Sequence, residues 1–356
     1  MSNGAGPPAP QASDGYRVAV VGATGQVGGV MLTLLRERGF PAREVVPFAS
    51  ERSAGKQLEG LGVVQPLSEQ TIQGFEVAIF SAGGATSGEW APRFAAAGAI
   101  VVDNSSKWRM DEDVPLVVSE VNPDALADAR KRIVANPNCS TMQMVVALKP
   151  LYDAAGIERL VISTYQAVSG TGKKGVDELL GQSHALLHGQ DAEVAVYAHQ
   201  IAFNALPHAG VFAPGDDHTD EERKLINETR KILGDDAIRI SATCVRVPVV
   251  NGHSEAVNVE TSSPLSPEEA RTLLRAAPGV TVLDDPGAGI YPMAIEADGR
   301  DDVLVGRIRR DPGNERALDL WVVSDNLRKG AATNAVQIAE LLHARGMLGA
   351  AAARAA

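Results

Sequence analysis

The segment Val18-Ala19-Val20-Val21-Gly22-Ala23-Thr24-Gly25-Gln26-Val27-Gly28 constrains the fold of this chain more than any other. An apolar run, Tyr16 to Gly22, reads as a buried strand, and a helical pattern follows from Gln26 to Arg38. Between them the glycines are spaced G-x-x-G-x-x-G rather than the usual G-x-G-x-x-G. Each can serve the same ends: a tight turn, close backbone approach to a pyrophosphate, and tight helix–strand contact. Phosphate would then sit over the helix N-terminus, where backbone N–H groups lack partners. A tight turn that binds nothing is the alternative. The strand before it, the helix after it and its place at the start of the first domain favour a dinucleotide held by Gly22, Thr24, Gly25, Gln26, Val27 and Gly28.

Further strands are expected at Glu44–Phe48, Val77–Ser81 and Ile100–Asp103, with short ones at Val117–Ser119 and Ile133–Ala135. Strands alternating with helical stretches imply an α/β fold, a Rossmann-type doubly wound parallel sheet. From Arg159 the pattern changes. Longer strands rich in β-branched residues are expected at Arg159–Gln166, Ile238–Val249, Glu255–Thr261 and Leu318–Val323. Helices lie between them around Lys174–Leu187, Thr219–Leu233 and Ser266–Ala276. This reads as a second, α+β domain on a mixed or antiparallel sheet, able to pair with a copy of itself as a homodimer. A last helix, Gly330–Arg345, is expected to return to the first domain. The division is then a flexible tail at 1–14, a cofactor domain at 15–138 plus 326–356, and a catalytic and dimerisation domain at 139–325.

A chain of 356 residues, 45% of them hydrophobic, can bury the cores of two domains. Its net charge of −11 argues against nucleic acid or an anionic membrane as partner, though not against an anionic substrate. No apolar run reaches membrane-spanning length, and the first 14 residues lack the apolar core of a signal peptide. Two cysteines far apart fit a reducing, cytoplasmic setting better than a disulfide scaffold.

The second strand ends in Ala49-Ser50-Glu51-Arg52-Ser53-Ala54-Gly55-Lys56. An acidic residue here would bond the ribose 2′-hydroxyl of NAD, whereas Arg and Ser suit the 2′-phosphate of NADP. Glu51 is a competing signal, but Arg52 and Ser53 followed by Lys56 point to NADP. Ser81 and Gly83, after the third strand, suit the cofactor or the rim of the substrate site, with a plain surface turn as the alternative.

Cys139, in Asn136-Pro137-Asn138-Cys139-Ser140-Thr141, stands at the expected start of a helix. Unpaired N–H groups and the positive end of the helix dipole favour its thiolate. A buried cysteine beside a chance cap is the other reading. Cys244, in an apolar β-branched strand, reads as core packing. His184, His188, His199, His208, His218 and His343 form no metal-ligand spacing, so no metal is assigned.

GATGQVG, DNSSKWR (Asp103 to Arg109), NPNCST, YQAVSGTG (Tyr165 to Gly172) and ATCVRVPVVNGHSE (Ala242 to Glu255) occur in one order. Together they resemble the aspartate-semialdehyde dehydrogenase family over nearly the whole chain past the N-terminal tail. The resemblance implies NADPH-dependent reduction of L-aspartyl 4-phosphate to aspartate semialdehyde and phosphate, in lysine, methionine and threonine biosynthesis. It implies Cys139 as nucleophile, His253 as acid–base group, and Gln166 as the residue positioning substrate and holding the histidine or the reacting carbonyl. Arg246 would grip the α-carboxylate, with a structural salt bridge as the alternative. Lys224 would reach phosphate and Glu221 the substrate amine, unless both simply form a solvated helix face. Arg109 is a second phosphate candidate, and Asn138 would polarise the thioester oxygen. Ser169, Gly170 and Asn326 match cofactor-contacting positions. A homodimer, or a tetramer, is expected.

The nearest rival is N-acetyl-γ-glutamyl-phosphate reductase, which also forms a thioester from an acyl phosphate. NPNCST, Gln166 and the spacing of Arg246 and His253 favour the aspartate enzyme. A redox-sensing dinucleotide-binding regulator would need no set of Cys139, Gln166, Arg246 and His253.

Overall fold

The computed structural model describes residues 15–349, so the expected N-terminal tail lies outside the described residues. These divide into two compact units, one running to Ser119 with Pro123–Asn136 and the chain from Ala335, the other Glu120–Asn122 with Pro137–Asn334.

In the first unit the apolar runs become parallel strands joined by helices. Strand β1 (Tyr16–Val21) leads through the glycine turn into α1 (Gln26–Glu37) and β2 (Ala42–Ala49). A small antiparallel pair, β3 (Gln57–Leu58) and β4 (Gly62–Val63), precedes β5 (Gln65–Pro66). Then come β6 (Val77–Phe80), α2 (Gly84–Ala96), β7 (Ile100–Asp103) and β8 (Ile133–Ala135). The sheet order is β5-β2-β1-β6-β7-β8, parallel throughout. Val18 to Val21 are wholly buried, which is why β1 is apolar at these four successive positions rather than at alternate ones. The chain passes from β1 to β2 on one side and returns to β6 on the other. The strand order therefore reverses at β1, the place where open α/β sheets bind ligands.

Val117–Ser119 is not a strand. Leu116 makes an isolated bridge to Ala135, and the chain then turns away. The Val117 N–H closes that bridge on the Ala135 carbonyl at 3.0 Å, and both Val117 and Val118 are fully buried.

The second unit opens with α3 (Cys139–Ala155), β9 (Ile157–Gln166), α4 (Lys173–Leu187) and α5 (Asp220–Leu233). It continues through β10 (Arg239–Arg246), β11 (His253–Thr261), α6 (Pro267–Ala276), β12 (Val280–Val282) and α7 (Ala294–Ala297). Strands β13 (Val303–Asp311) and β14 (Asn314–Ser324) follow, then a π-helical turn, Arg328–Thr333. The sheet runs β10-β9-β11-β14-β13-β12, with β10/β9 and β12/β13 parallel and the other pairs antiparallel. It is a mixed sheet, with α3, α5 and α6 packed against it. Helices α5 and α6 start at capping boxes, Thr219 with Glu222 and Ser266 with Glu269.

Strand β10 stops at Arg246 rather than Val249, since Pro248 has no N–H to give a ladder. Strand β11 begins two residues earlier than expected, so that His253 is its first residue. Helix α8 (Asn334–Ala344) belongs to the first unit from Ala335 onward. There His343 Nδ1 meets the Tyr16 hydroxyl at 2.9 Å, and Arg38 bonds Glu340 through two contacts of 2.8 Å. Among the described residues no helix is long and apolar enough to cross a membrane.

Candidate active site

Cys139 is the first residue of α3, and Asn138 is its N-cap. The Asn138 side-chain carbonyl accepts from the N–H groups of Ser140 (2.9 Å) and Thr141 (3.2 Å). The other end of this amide donates to Glu221 Oε1 at 2.7 Å, and the Asn138 backbone N–H donates to Glu228 Oε2 at 2.7 Å. Both ends of the side chain that was expected to polarise a thioester oxygen are therefore engaged in fixing the helix start. The thiol is partly buried, at the positive end of a 17-residue helix. That field favours negative charge on sulfur. Gly330 of the π turn packs on it so closely that a Cβ there would lie 2.7 Å from Cys139 Cβ.

His253 is wholly buried, and its Nδ1 accepts the backbone N–H of Ala167 at 3.0 Å. A peptide N–H can only donate, so the proton of the neutral ring is on Nε2. That Nε2 is buried and has no partner among the described residues. Burial, with the charge of Arg246 adding to it, holds the imidazole well below its ordinary pKa, so the ring is neutral at pH 7.

The backbone of Ala167 also serves Arg246, whose Nη1 donates to the Ala167 carbonyl at 2.7 Å, while Nε is buried without a partner among the described residues. Ala167 thus orients the imidazole through its N–H and the guanidinium through its C=O. A Cβ at Gly170 would stand 2.9 Å from Arg246 Nη1 and 3.2 Å from His253 Nε2, so only hydrogen leaves these two groups clear. Gln166, expected to position substrate and to hold the histidine or the reacting carbonyl, directs its amide to Thr164 Oγ1 (3.3 Å) and Glu221 Oε1 (3.5 Å).

Glu221 and Lys224 lie one turn apart on α5 with 3.0 Å between Oε2 and Nζ, and Lys224 also meets Asp220 at 2.7 Å. Burial alone would raise the Glu221 pKa. Lys224, Asn138 and Arg246 outweigh it and hold the carboxyl below its ordinary value. Burial would likewise lower the Lys224 pKa, but Glu221 and Asp220 raise it overall. Both groups are therefore charged at neutral pH and buried enough to exclude a simple solvated face. Asn326 accepts the Gly252 N–H (2.9 Å), and its amide nitrogen donates to the Ser169 hydroxyl (2.9 Å). These two candidates thus hold the residue that precedes His253.

The second unit therefore brings together Cys139, Asn138, Gln166, Glu221, Lys224, Arg246, His253, Ser169, Gly170 and Asn326. Ala167, Gln143 and Gly330 escaped the sequence reading. Ala167 acts through its backbone, which no side-chain pattern reports. Gln143 has a detectable signal, since it is a polar residue four positions after Cys139 within the apolar stretch Met142–Leu148.

Cys244 lies two residues before Arg246 on β10 and is wholly buried, and burial pushes its thiol pKa far up. Among the described residues no group of three or more His, Cys, Asp or Glu could hold a metal ion.

The first unit holds the remaining candidates. Gly22 has φ +89°, and a Cβ on it would meet the Ser81 carbonyl oxygen at 2.2 Å. A Cβ on Gly28 would meet the Gly22 oxygen at the same distance. Gly25 is the N-cap of α1 and supplies no side-chain cap, and the first turn of α1 carries no acidic residue. Thr24, Gly25 and Gln26 are exposed, with Val27 beside them. Helix α2 likewise starts uncapped, after Gly83 at φ +80° and Ser81. Two bare helix N-termini thus follow the two strands that flank the reversal point, a cradle that fits a pyrophosphate. Arg52 and Ser53 form a short 3₁₀ turn after β2, with Arg52 exposed and in no ion pair among the described residues. Arg109 is buried, with Nη2 donating to the Asn104 carbonyl at 3.0 Å.

Comparison with known proteins agrees with this division. Residues 17–129 match the family model for the semialdehyde dehydrogenase NAD-binding domain, and residues 148–329 that for the semialdehyde dehydrogenase dimerisation domain. The aspartate-semialdehyde dehydrogenase of Aquifex aeolicus is 58% identical over 340 residues, covering 94% of this chain and all of its own. A crystal structure of Vibrio cholerae aspartate-semialdehyde dehydrogenase II, complexed with ASA, superposes with a TM-score of 0.88 at 49% identity, covering 92% of this chain and 98% of its own. The Candida albicans enzyme with NADP does so with a TM-score of 0.71 at 28% identity, covering 93% and 99%. The fold and its paired domains are those of an NAD(P)-binding oxidoreductase of the semialdehyde dehydrogenase class. Within that class the chain belongs to the aspartate-semialdehyde dehydrogenase family.

Proposed function

We propose that the chain reduces L-aspartyl 4-phosphate to L-aspartate 4-semialdehyde and inorganic phosphate with NADPH, on the route to lysine, methionine, threonine and isoleucine. The observation that carries this reading is the Ala167 backbone, which orients a buried neutral histidine and a buried arginine in the unit whose helix start bears a cysteine. An acyl phosphate needs a nucleophile for its carbonyl carbon, and the thiolate of Cys139 at the α3 N-terminus supplies it. The C–S bond forms, the C–O bond to phosphate breaks, and phosphate leaves with that electron pair. When bound, NADPH supplies hydride to the resulting thioester. Collapse of the thiohemiacetal returns the electron pair of the C–S bond to sulfur and frees the aldehyde.

His253 works from its Nε2–H. With Nδ1 accepting from Ala167, Nε2 can donate to a developing oxyanion but cannot take a proton from the thiol. The helix start instead favours the thiolate, and the proton of the partly buried thiol is lost to water before the substrate is attacked. Arg246 offers its unspent donors to the α-carboxylate and Glu221 accepts the ammonium, while Lys224 and Arg109 take phosphate. Asn138 and Gln166 are positioning residues. The glycine cradle takes the pyrophosphate, and Arg52 with Ser53 takes the 2′-phosphate of NADP in preference to NAD.

We assign residues 139–325 to catalysis and pairing with a second copy. The matched dimerisation model supports this, as do Tyr291 and Met293, which expose apolar surface in a groove of about 550 Å³ also lined by Trp321, against which the exposed Tyr165 rests. Two thiols and no disulfide suit a cytoplasmic setting.

Initial rates with aspartate semialdehyde, phosphate and either NADP or NAD test the proposal. Faster turnover of N-acetylglutamate semialdehyde, or a preference for NAD, overturns it. Arg109→Ala should raise the phosphate KM by the equivalent of about 1.5–3 kcal/mol, with less effect on semialdehyde.

A further inference from the structure

Glu255 is a wholly buried carboxyl for which the mechanism above has no use. It lies two positions along β11 from His253, on the same face of the sheet. Neither of its oxygens is exposed, and neither has a hydrogen-bond partner among the described residues. Burial raises the carboxyl pKa, and the Gln143 amide is close enough to pull against that rise. That amide donates to the His253 carbonyl (3.3 Å) and accepts from the Ser324 hydroxyl (2.7 Å). Gln143 in turn stands one helical turn after Cys139 on α3.

Among the described residues no cation acts on this carboxyl to balance a charge. On its own strand the nearest titratable neighbour is His253, which is neutral. Thr164 of β9 and Val322 of β14 lie opposite it. Strand β10 contributes Cys244, protonated, and Arg246, whose guanidinium bonds the Ala167 carbonyl. Helix α5 contributes Glu221 and Glu222, charges of the wrong sign, and α3 contributes Cys139 and Gln143. A carboxylate here would be buried and unpaired, whereas the neutral acid needs no counter-ion.

We infer that Glu255 is a positioning residue that acts as the neutral acid, propping the Gln143 amide against the His253 backbone. The chain Glu255–Gln143–His253 thereby sets the imidazole in register with the helix that begins at Cys139. In support, burial keeps the Glu255 proton in place well above the ordinary carboxyl range. In the unfolded chain that proton leaves near pH 4.3, roughly. From there upward the unfolded state binds fewer protons than the folded one, so Glu255 costs stability progressively as pH rises towards its folded pKa.

The test compares Glu255→Gln, which keeps the shape and removes the titration, with Glu255→Leu, which removes the prop. The infrared spectrum of the parent near pH 7 should show a protonated-carboxyl stretch that is missing from Glu255→Gln. The melting temperature of Glu255→Gln should exceed the parent's by a margin that widens between about pH 5 and about pH 8. Glu255→Leu should lose on the order of tenfold in kcat with the NADP KM held, and Glu255→Gln should restore most of that loss. An infrared spectrum unchanged by Glu255→Gln, a margin that narrows with pH, or a kcat as low in Glu255→Gln as in Glu255→Leu overturns the inference. The kinetic arm rests on the reaction proposed above. The infrared and thermal arms need no turnover and fail independently of it.

Discussion

The two cysteines share one unit of this protein and almost nothing else. Cys139 begins a helix, with its N-cap neighbour tied to two carboxylates of α5 and a glycine packed on its Cβ. Cys244 lies within a β-strand, with its backbone N–H bonded to Glu222 and its side chain wholly buried. The first environment stabilises negative charge on sulfur, and the second, by burial and by the nearby Glu221 and Glu222, opposes it. A thiol's chemistry is thus set by whether the backbone around it has dipole to spare, a matter of secondary structure before any neighbouring side chain is counted.

The sharpest way to break this contrast is to remove one thiol. Cys139→Ala is expected to lower turnover on the order of 10⁴-fold or more while NADP binding, read by titration of the nicotinamide, stays intact. Full activity in that variant would sink the thioester mechanism. In the parent, iodoacetamide should modify Cys139 and leave Cys244 untouched until the chain unfolds.

Arg246 probes the same strand as Cys244, two positions on and on the same face. Arg246→Ala removes the donors offered to the substrate carboxylate and leaves the Ala167 carbonyl without its partner. A loss of about 2–5 kcal/mol in kcat/KM for the semialdehyde is expected, with the NADP KM little changed. A loss confined to melting temperature would make Arg246 a structural residue and reinstate the salt-bridge reading.

Much of this was legible in the residues, and what was not has physical reasons. The glycine turn, the reactive cysteine and the starts of α5 and α6 are local features, written in spacing and capping side chains such as Thr219 and Ser266. Strand β13 was not read. A bulge at Gly306–Arg309 and the left-handed Arg307 (φ +53°) break its alternation. The partner of His253 was sought among side chains and proved to be the Ala167 peptide, one residue past Gln166. Gln143 and Glu255 were hidden because a buried polar residue in an apolar element takes its meaning from pairings that only the tertiary fold supplies.

Asn138→Ala should narrow the difference between the thiols without abolishing it. Loss of the cap costs about 0.5–2 kcal/mol of stability. It also frees the Ser140 and Thr141 N–H groups and releases Glu221 from its amide donor. Alkylation of Cys139 is expected to slow by roughly tenfold, with the rate at Cys244 unaltered. An alkylation rate equal to the parent's would mean that the dipole of α3, rather than the cap, sets the reactivity.

The smallest effect is expected at Cys244 itself. Cys244→Ala deletes one buried sulfur from β10, whose ladder to β9 and whose backbone bond to Glu222 do not depend on the side chain. A cost of about 1 kcal/mol in stability follows from the lost packing. Turnover should stay within about twofold, because Arg246 keeps its own tether to Ala167. Cys244→Ser should behave differently. It places a smaller, more polar group in a wholly buried position beside Thr164, so it should cost more stability than Cys244→Ala unless the new hydroxyl bonds Thr164. If Cys244→Ala instead lost activity out of proportion to its melting temperature, the buried thiol would belong to the site, and the division between a helix-start nucleophile and a strand-core filler would fail.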